Sequence, residues 1–140
     1  MREILFRGKG IDNNWYYGVP LVFTEDCVCM FSLYINSKKV EANTVGQYTG
    51  LTDKNGKKIF DGDIVKVYED IDYRIGVHKT NRKTRTIIGV VVFDEKRFEY
   101  KIKNEEYDLT LFRLSKKDTN EVIGNIHDNP ELLKGGAADE

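Results

Sequence analysis

The sequence is poor in residue types that stabilise helices or cross-link a chain. Alanine, the strongest helix former, occurs only at Ala42, Ala137 and Ala138, whereas branched and aromatic residues fill the apolar segments. Such side chains fit a pleated sheet, so the composition favours strands over helices. The two cysteines, Cys27 and Cys29, are too close in sequence for a disulfide between them to close a stabilising loop, and we expect buried free thiols.

Long apolar runs and an excess of one charge are also missing. The net charge is −1, with 22 basic and 23 acidic residues, so no global field favours nucleic acid or anionic lipid. No run approaches the ~20 apolar residues of a membrane span, and residues 1–9 carry charges within their apolar stretch, unlike a signal peptide. We therefore expect no membrane partner. A length of 140 residues, 40% of them hydrophobic, suits one compact domain.

Short apolar segments separated by turn signals predict a series of antiparallel strands. The pair Asn55-Gly56 favours a type I′ turn with positive φ at both residues, and residues 61–63 form a second turn signal. Alternation over residues 98–102 predicts that Phe98, Tyr100 and Ile102 share one face of a half-buried strand. Asn129 followed by Pro130 is a helix-start signal.

These signals predict a mainly β fold, either all-β or β-dominated α+β, with eight to ten short strands and one short C-terminal helix. We expect a single domain over residues 1–134, with an N-terminal β part over 1–42 and a small barrel-like part over 43–134. In the barrel-like part, segments 64–68, 87–93 and 98–102 should pair consecutively. The tail, residues 135–140, is predicted to be disordered.

Motifs for phosphate, metal and catalytic chemistry fit poorly. In a P-loop the second glycine follows the first by five positions, and Lys and then Ser or Thr come next. Here Gly56 follows Gly50 by six positions, and Lys58 occupies the position of the Ser or Thr. Calcium-loop spacing fails likewise, and His78 and His127 lie in no Cys/His spacing suited to zinc. We therefore assign no cofactor, no metal site and no catalytic residue. Paired carboxylates at Asp61 and Asp63 keep open the alternative of a nucleotide hydrolase.

The polar segment 69–86, inserted between two predicted core strands, carries the best candidate contact surface. Its acidic block, Glu69, Asp70 and Asp72, precedes a basic block. The candidate binding residues are Arg74, Lys79, Arg82, Lys83 and Arg85, with Tyr68 and Tyr73 for stacking. The cations and tyrosines together could hold phosphates and stack a base. The segment is either a long hairpin or a mobile loop. The alternative to a binding role is a solvated hairpin whose cations pair with the acidic block.

The chain resembles the YopX-like proteins, a family encoded mostly by phages and prophages. The resemblance rests on REILFRG at 2–8, WYYG at 15–18, VGQYTGLTDKNG at 45–56, IFDGDIV at 59–65, VIGNI at 122–126 and NPELL at 129–133. It implies a mainly β fold with a small barrel-like half, and it supplies no catalytic residues. Segment 69–86 matches none of these motifs and resembles a variable insertion, where binding residues on a rigid scaffold would be expected.

The resemblance implies a non-enzymatic, phage-encoded accessory binding protein in the cytoplasm of a bacterial host. A counter-defence role is expected, by binding a host protein or by sequestering an anionic nucleotide between subunits. The alternative is a nucleic-acid-binding β-barrel that uses the basic 79–85 segment. A homo-oligomer is also expected, because many short strands leave edges that must be covered or paired.

Overall fold

A computed structural model describes residues 3–24, 31–77, 80–106, 108–110 and 119–133. These residues form twelve strands, all paired antiparallel where their registers are defined, and two short 3-10 turns. The mainly β class predicted from the composition is therefore confirmed. The chain divides into two compact units, Met1–Gly50 and Leu51–Glu140.

The first unit is built from short strands. They are β1 (Phe6–Lys9), β2 (Trp15–Gly18), β3 (Leu21–Thr24), β4 (Phe31–Ile35), β5 (Lys38–Val40) and the beginning of β6 (Gly46–Thr52). Strand β1 pairs with both β2 and β6, whereas β3, β4 and β5 form a separate three-stranded sheet. Gly8 allows the close packing of β1, because a Cβ there would lie 2.9 Å from a methyl group of Val40.

The second unit centres on a five-stranded sheet. The strands of this sheet are β8 (Asp63–Arg74), β9 (Thr80–Asp94), β10 (Glu99–Lys103), β11 (Asp108–Thr110) and β12 (Asn120–Asn125), in the order β11-β10-β9-β8-β12. Strand β7 (Lys58–Phe60) also belongs to the second unit but not to this sheet. The predicted consecutive pairing of segments 64–68, 87–93 and 98–102 is confirmed by the β8-β9-β10 order. Across the described residues the sheet stays open, with β11 and β12 at its two ends, so the expected closed barrel is not found.

Period-two alternation explains the core of the second unit. Val65 and Val67 on β8, Ile87 and Val91 on β9, and Ile102 on β10 are all buried and form one cluster with Ile59. Their cross-strand partners share that face, as in the pair Ile102 and Val91. The alternating residues face away from this cluster, and most of them are partly buried, although Ile64 is 0% exposed.

Two local predictions were wrong. Phe98 does not share the face of Tyr100 and Ile102; it lies in the β9–β10 turn with φ 54° and is 83% exposed. At the other turn only Gly56 has positive φ, and its N–H donates to the carbonyl of Asp53. That geometry is a type I turn followed by a left-handed glycine, and the longer loop replaces the predicted type I′ turn.

The C-terminal helix signal produces a single 3-10 turn, Pro130–Leu133. Asn129 precedes it, and the N–H of Leu132 donates to the Asn129 carbonyl at 3.1 Å. The predicted disordered tail at residues 135–140 lies outside the described residues, as do Cys27 and Cys29. No helix among the described residues is long and apolar enough to cross a membrane.

Candidate interaction site

Strands β8 and β9 extend beyond the sheet as a two-stranded arm, defined here as residues 69–85. Among the described residues, which leave out 111–118, strand β12 pairs with β8 along 63–67 and β10 pairs with β9 along 90–94. Strands β8 and β9 nevertheless continue their mutual register to Arg74 opposite Thr80. At ~3.3 Å per residue, the arm is about 20 Å long. Of the alternatives left open by the sequence, segment 69–86 is the long hairpin.

Opposite charges of the arm face each other across the two strands. Glu69 stands opposite Arg85, and its Oε2 accepts hydrogen bonds from Nε at 2.9 Å and from Nη2 at 2.6 Å. Asp72 stands opposite Arg82 in the same register. Two of the three acidic residues therefore stand opposite basic residues in the register, and Glu69 forms an ion pair with Arg85. This arrangement supports the hairpin alternative and lowers the positive charge that the arm offers to an anion.

The remaining predicted binding residues are distributed over both faces of the arm. Lys83 is exposed and lies on the Arg85 face, because the two residues are two apart on one strand. Tyr68 lies on the other face, since its register partner is Thr86. The structure thus separates Tyr68 from Lys83 and Arg85. Three further candidates lie on the arm's strands with side chains outside the described part: Tyr73, Arg74 and Arg82. Lys79 lies outside the described residues.

Two apolar residues are exposed in the turn at the end of the arm, although the sequence analysis treated this segment as a charged one. Ile75 is 61% exposed and Val77 is 85% exposed, and neither belongs to the core cluster. The signal was present in the sequence as two branched residues flanking Gly76 within an otherwise polar segment. Exposed branched residues at the end of a projecting hairpin are suited to contact with another macromolecule.

Tyr68 marks the base of the arm and is held by charged neighbours. The Nζ atoms of Lys54 and Lys66 lie 4.8 Å and 5.4 Å from its ring centroid, within the range of cation–π attraction. Its hydroxyl donates to Glu121 at 3.4 Å, and Lys54 pairs with the same carboxylate at 3.6 Å. This cluster connects the β6–β7 turn, β8 and β12 at the point where the arm begins.

The aspartates of the two glycine-containing turns hold backbone groups. Asp53 is buried, and its Oδ1 accepts from the N–H groups of Asn55 and Lys57, both at 2.9 Å. Its Oδ2 accepts from the N–H of Val122 on β12 at 2.9 Å. Asp63 is 1% exposed, and its Oδ2 accepts from the N–H of Phe60 at 2.8 Å. Both carboxylates are therefore occupied with folding the turns.

Metal ligands do not cluster in the described part of the chain, where no group of three or more His, Cys, Asp or Glu side chains could hold an ion. His78 lies outside the described residues. His127 lies beside Gly62, with Nε2 3.8 Å from the position of a Cβ built there. The described His, Cys, Asp and Glu side chains therefore form no metal site.

A charged cavity of about 350 Å³ lies at the end of the sheet away from the arm, and it is lined by Asp94, Lys96, Arg97, Glu99, Lys101 and Asp108. Within it the ammonium of Lys101 bridges Asp94 at 3.7 Å and Asp108 at 3.2 Å. Desolvation alone would raise the pKa of Asp94, but the Lys96 backbone N–H and the Lys101 charge outweigh it and hold that pKa below its usual value. The ion pairs of Lys101 with Asp94 and Asp108 thus neutralise part of the charge that lines the cavity.

The comparisons with known proteins agree with this architecture. The family model described as "YopX protein" matches residues 5–134. A solved structure, "Crystal structure of protein EF1440 from Enterococcus faecalis", is similar with a TM-score of 0.52 and 25% identity, covering 95% of this chain and 99% of that one. No curated protein matches the sequence. Because the family model spans nearly all of the chain, the protein belongs to the YopX family.

Proposed function

We propose that this protein is a non-enzymatic, phage-encoded accessory protein whose arm binds a host protein in the bacterial cytoplasm. The observation that carries the proposal is the arm itself, a hairpin about 20 Å long that outgrows its sheet and ends in exposed Ile75 and Val77. A two-stranded hairpin is marginally stable alone in water, so contact with a partner would stabilise it.

The charge of the arm favours an acidic partner surface. Residues 69–85 contain five cations and three carboxylates, a net charge of +2, within a chain whose net charge is −1. The rest of the chain therefore carries −3. Because Glu69 already neutralises Arg85, the excess positive charge lies towards the tip, where the apolar residues are. Apolar contact supplies the affinity, and the cations steer the approach.

The test compares wild type with the Ile75→Ser/Val77→Ser variant as baits in lysate of the host bacterium. Phe98→Ser is the matched control, because Phe98 is similarly exposed but lies in the β9–β10 turn. A specific host protein should be retained by wild type and by the control and lost from the arm variant. Equal retention by the arm variant, or retention of no protein by wild type, contradicts the proposal.

A nucleotide ligand would appear in the same preparation. Native mass spectrometry of the purified protein should detect the polypeptide alone if the partner is a protein. A bound mass that is released by denaturation and absorbs at 260 nm would instead indicate the anionic nucleotide.

Nucleic acid is the second candidate, because the major groove of DNA admits a two-stranded β-ribbon. Binding would use Lys79, Arg82, Lys83 and Arg85. It should weaken steeply as salt rises and disappear when those four residues become alanine. The opposing Glu69 and the register position of Asp72 reduce the number of phosphates that the arm can neutralise. Binding that is insensitive to salt would refute this candidate.

A further inference from the structure

Strand β3 is an exposed apolar edge in the first unit. Leu21, Val22 and Phe23 are 57%, 60% and 54% exposed, and Thr24 is exposed as well. Within the described part of the chain, β3 pairs with β4 alone and ends the order β3-β4-β5. No strand among the described residues pairs with the backbone groups on its outer side, which is the arrangement that lets a further strand add to a sheet edge.

The opposite edge of the same sheet is protected. Strand β5 carries Lys38 and Lys39, both exposed, and it bridges Gly10 through Val40. Lysine on an edge strand is a common device against edge-to-edge pairing. Strand β3 has no charged residue and no proline within its bounds, so the sheet is closed to association at one edge and open at the other.

We propose that a second copy of this chain pairs with β3 across a two-fold axis through Val22. The axis is perpendicular to the sheet, so the two β3 strands run antiparallel and equivalent faces of the two sheets lie on the same side. Val22 then lies opposite Val22 of the other copy. Leu21 then lies opposite Phe23 of the other copy, and Phe23 lies opposite Leu21. These three facing pairs are apolar, Thr24 lies opposite Pro20, and β3 brings no like charges together. Two three-stranded sheets become one of six strands.

Phe23 is already positioned for this arrangement. Its ring packs edge-to-face against Tyr34 of β4, with the centroids 5.3 Å apart. Leu21 stands opposite Tyr34 in the register, on the same face. Pairing of two copies would continue this face across the axis. The association uses the first unit and is independent of the arm and its proposed host partner.

The contact is small, which fixes the expected strength. Standard stable interfaces bury about 800 Å² on each partner, more than three half-exposed side chains can supply. We therefore expect a weak dimer, in concentration-dependent equilibrium with the monomer. Isologous symmetry makes each substitution count twice, because each residue meets its counterpart or a reciprocal partner.

The test is sedimentation equilibrium of full-length protein over a range of concentrations. Wild type should shift from monomer towards dimer, and Val22→Lys and Val22→Glu should each weaken dimerisation by roughly tenfold or more, because like charges meet at the axis. An equal mixture of the two variants should recover dimer. Val19→Lys, at an equally exposed apolar position outside β3, should behave as wild type.

Circular dichroism confirms that each variant is folded, and Leu21→Lys serves as the second variant if a Val22 variant is not. A wild type that stays monomeric at every concentration overturns the proposal. So does unchanged dimerisation of Val22→Lys, which would place the interface elsewhere. A mixture of the two charge variants that dimerises no better than either one excludes the axis through Val22.

Discussion

Replacing Asp53 by alanine should destabilise the second unit by about 3 kcal/mol. Its carboxylate accepts three backbone N–H groups at 2.9 Å, and the residue is 7% exposed. A buried donor left without a partner costs roughly 1–3 kcal/mol. The two turn donors, from Asn55 and Lys57, can regain water because those residues are exposed, so the expected loss lies in the lower half of the summed range. A domain's whole stability is only about 5–15 kcal/mol.

Urea unfolding followed by circular dichroism measures this loss. Asp128→Ala is the matched control in the same unit, because Asp128 is exposed and accepts from the Asn125 amide at 3.1 Å. That variant should lose less than about 1 kcal/mol. Asp53→Asn keeps one acceptor but presents an amide donor to one of the three N–H groups, and should fall between the two. If Asp53→Ala were as stable as the control, the three hydrogen bonds would not be holding the turn.

Two further experiments test the packing and the charge pairing of the β8–β9 hairpin. Gly89→Ala should lower the free energy of unfolding by about 1–3 kcal/mol, because the new Cβ would lie 2.5 Å from Ile102 Cγ2. The control Gly76→Ala should be nearly neutral, because no atom lies within 4 Å of its Cβ position. Equal urea midpoints for the two variants would contradict this packing. A double-mutant cycle on Glu69 and Arg85, whose side chains are 26% and 28% exposed, should give a coupling of about 0.5–1 kcal/mol that shrinks in 1 M salt; a salt-independent coupling would refute an electrostatic origin.

Apolar runs and alternation in the sequence predicted the strands that carry the core of the second unit, because burial of a sheet face requires apolar residues along each strand. Val65, Ile87 and Ile102 belong to segments predicted to pair in the order that β8, β9 and β10 adopt. The same local chemistry located the turns, since Asn55-Gly56 and Asp61-Gly62 combine a short polar side chain with a glycine that accepts positive φ.

What the sequence could not supply are contacts between distant segments. Asp53 accepts the N–H of Val122, 69 residues away, and that bond favours a turn in which Asp53 is the first residue. A rule based on the dipeptide Asn55-Gly56 alone predicts the tighter type I′ turn. Phe98 fails for a related reason: its apolar side chain continues the alternation of β10, but the chain must reverse there, and the residue is left exposed with positive φ.

Some features of the candidate site could be predicted from local sequence, and others depend on contacts between distant segments. The charge blocks in the sequence located the arm. Alternation along the strands puts Tyr68 on the face opposite buried Val67 and Arg85 on the face of buried Ile87, so the two residues lie on opposite faces. The position of Tyr68 at the base of the arm could not be predicted in this way, because it depends on contacts with Lys54 from a turn and Glu121 from β12. These contacts anchor β8 just before it leaves the sheet. Among the described residues, β8 and β9 pair only with each other beyond that point, from Glu69 opposite Arg85 to Arg74 opposite Thr80.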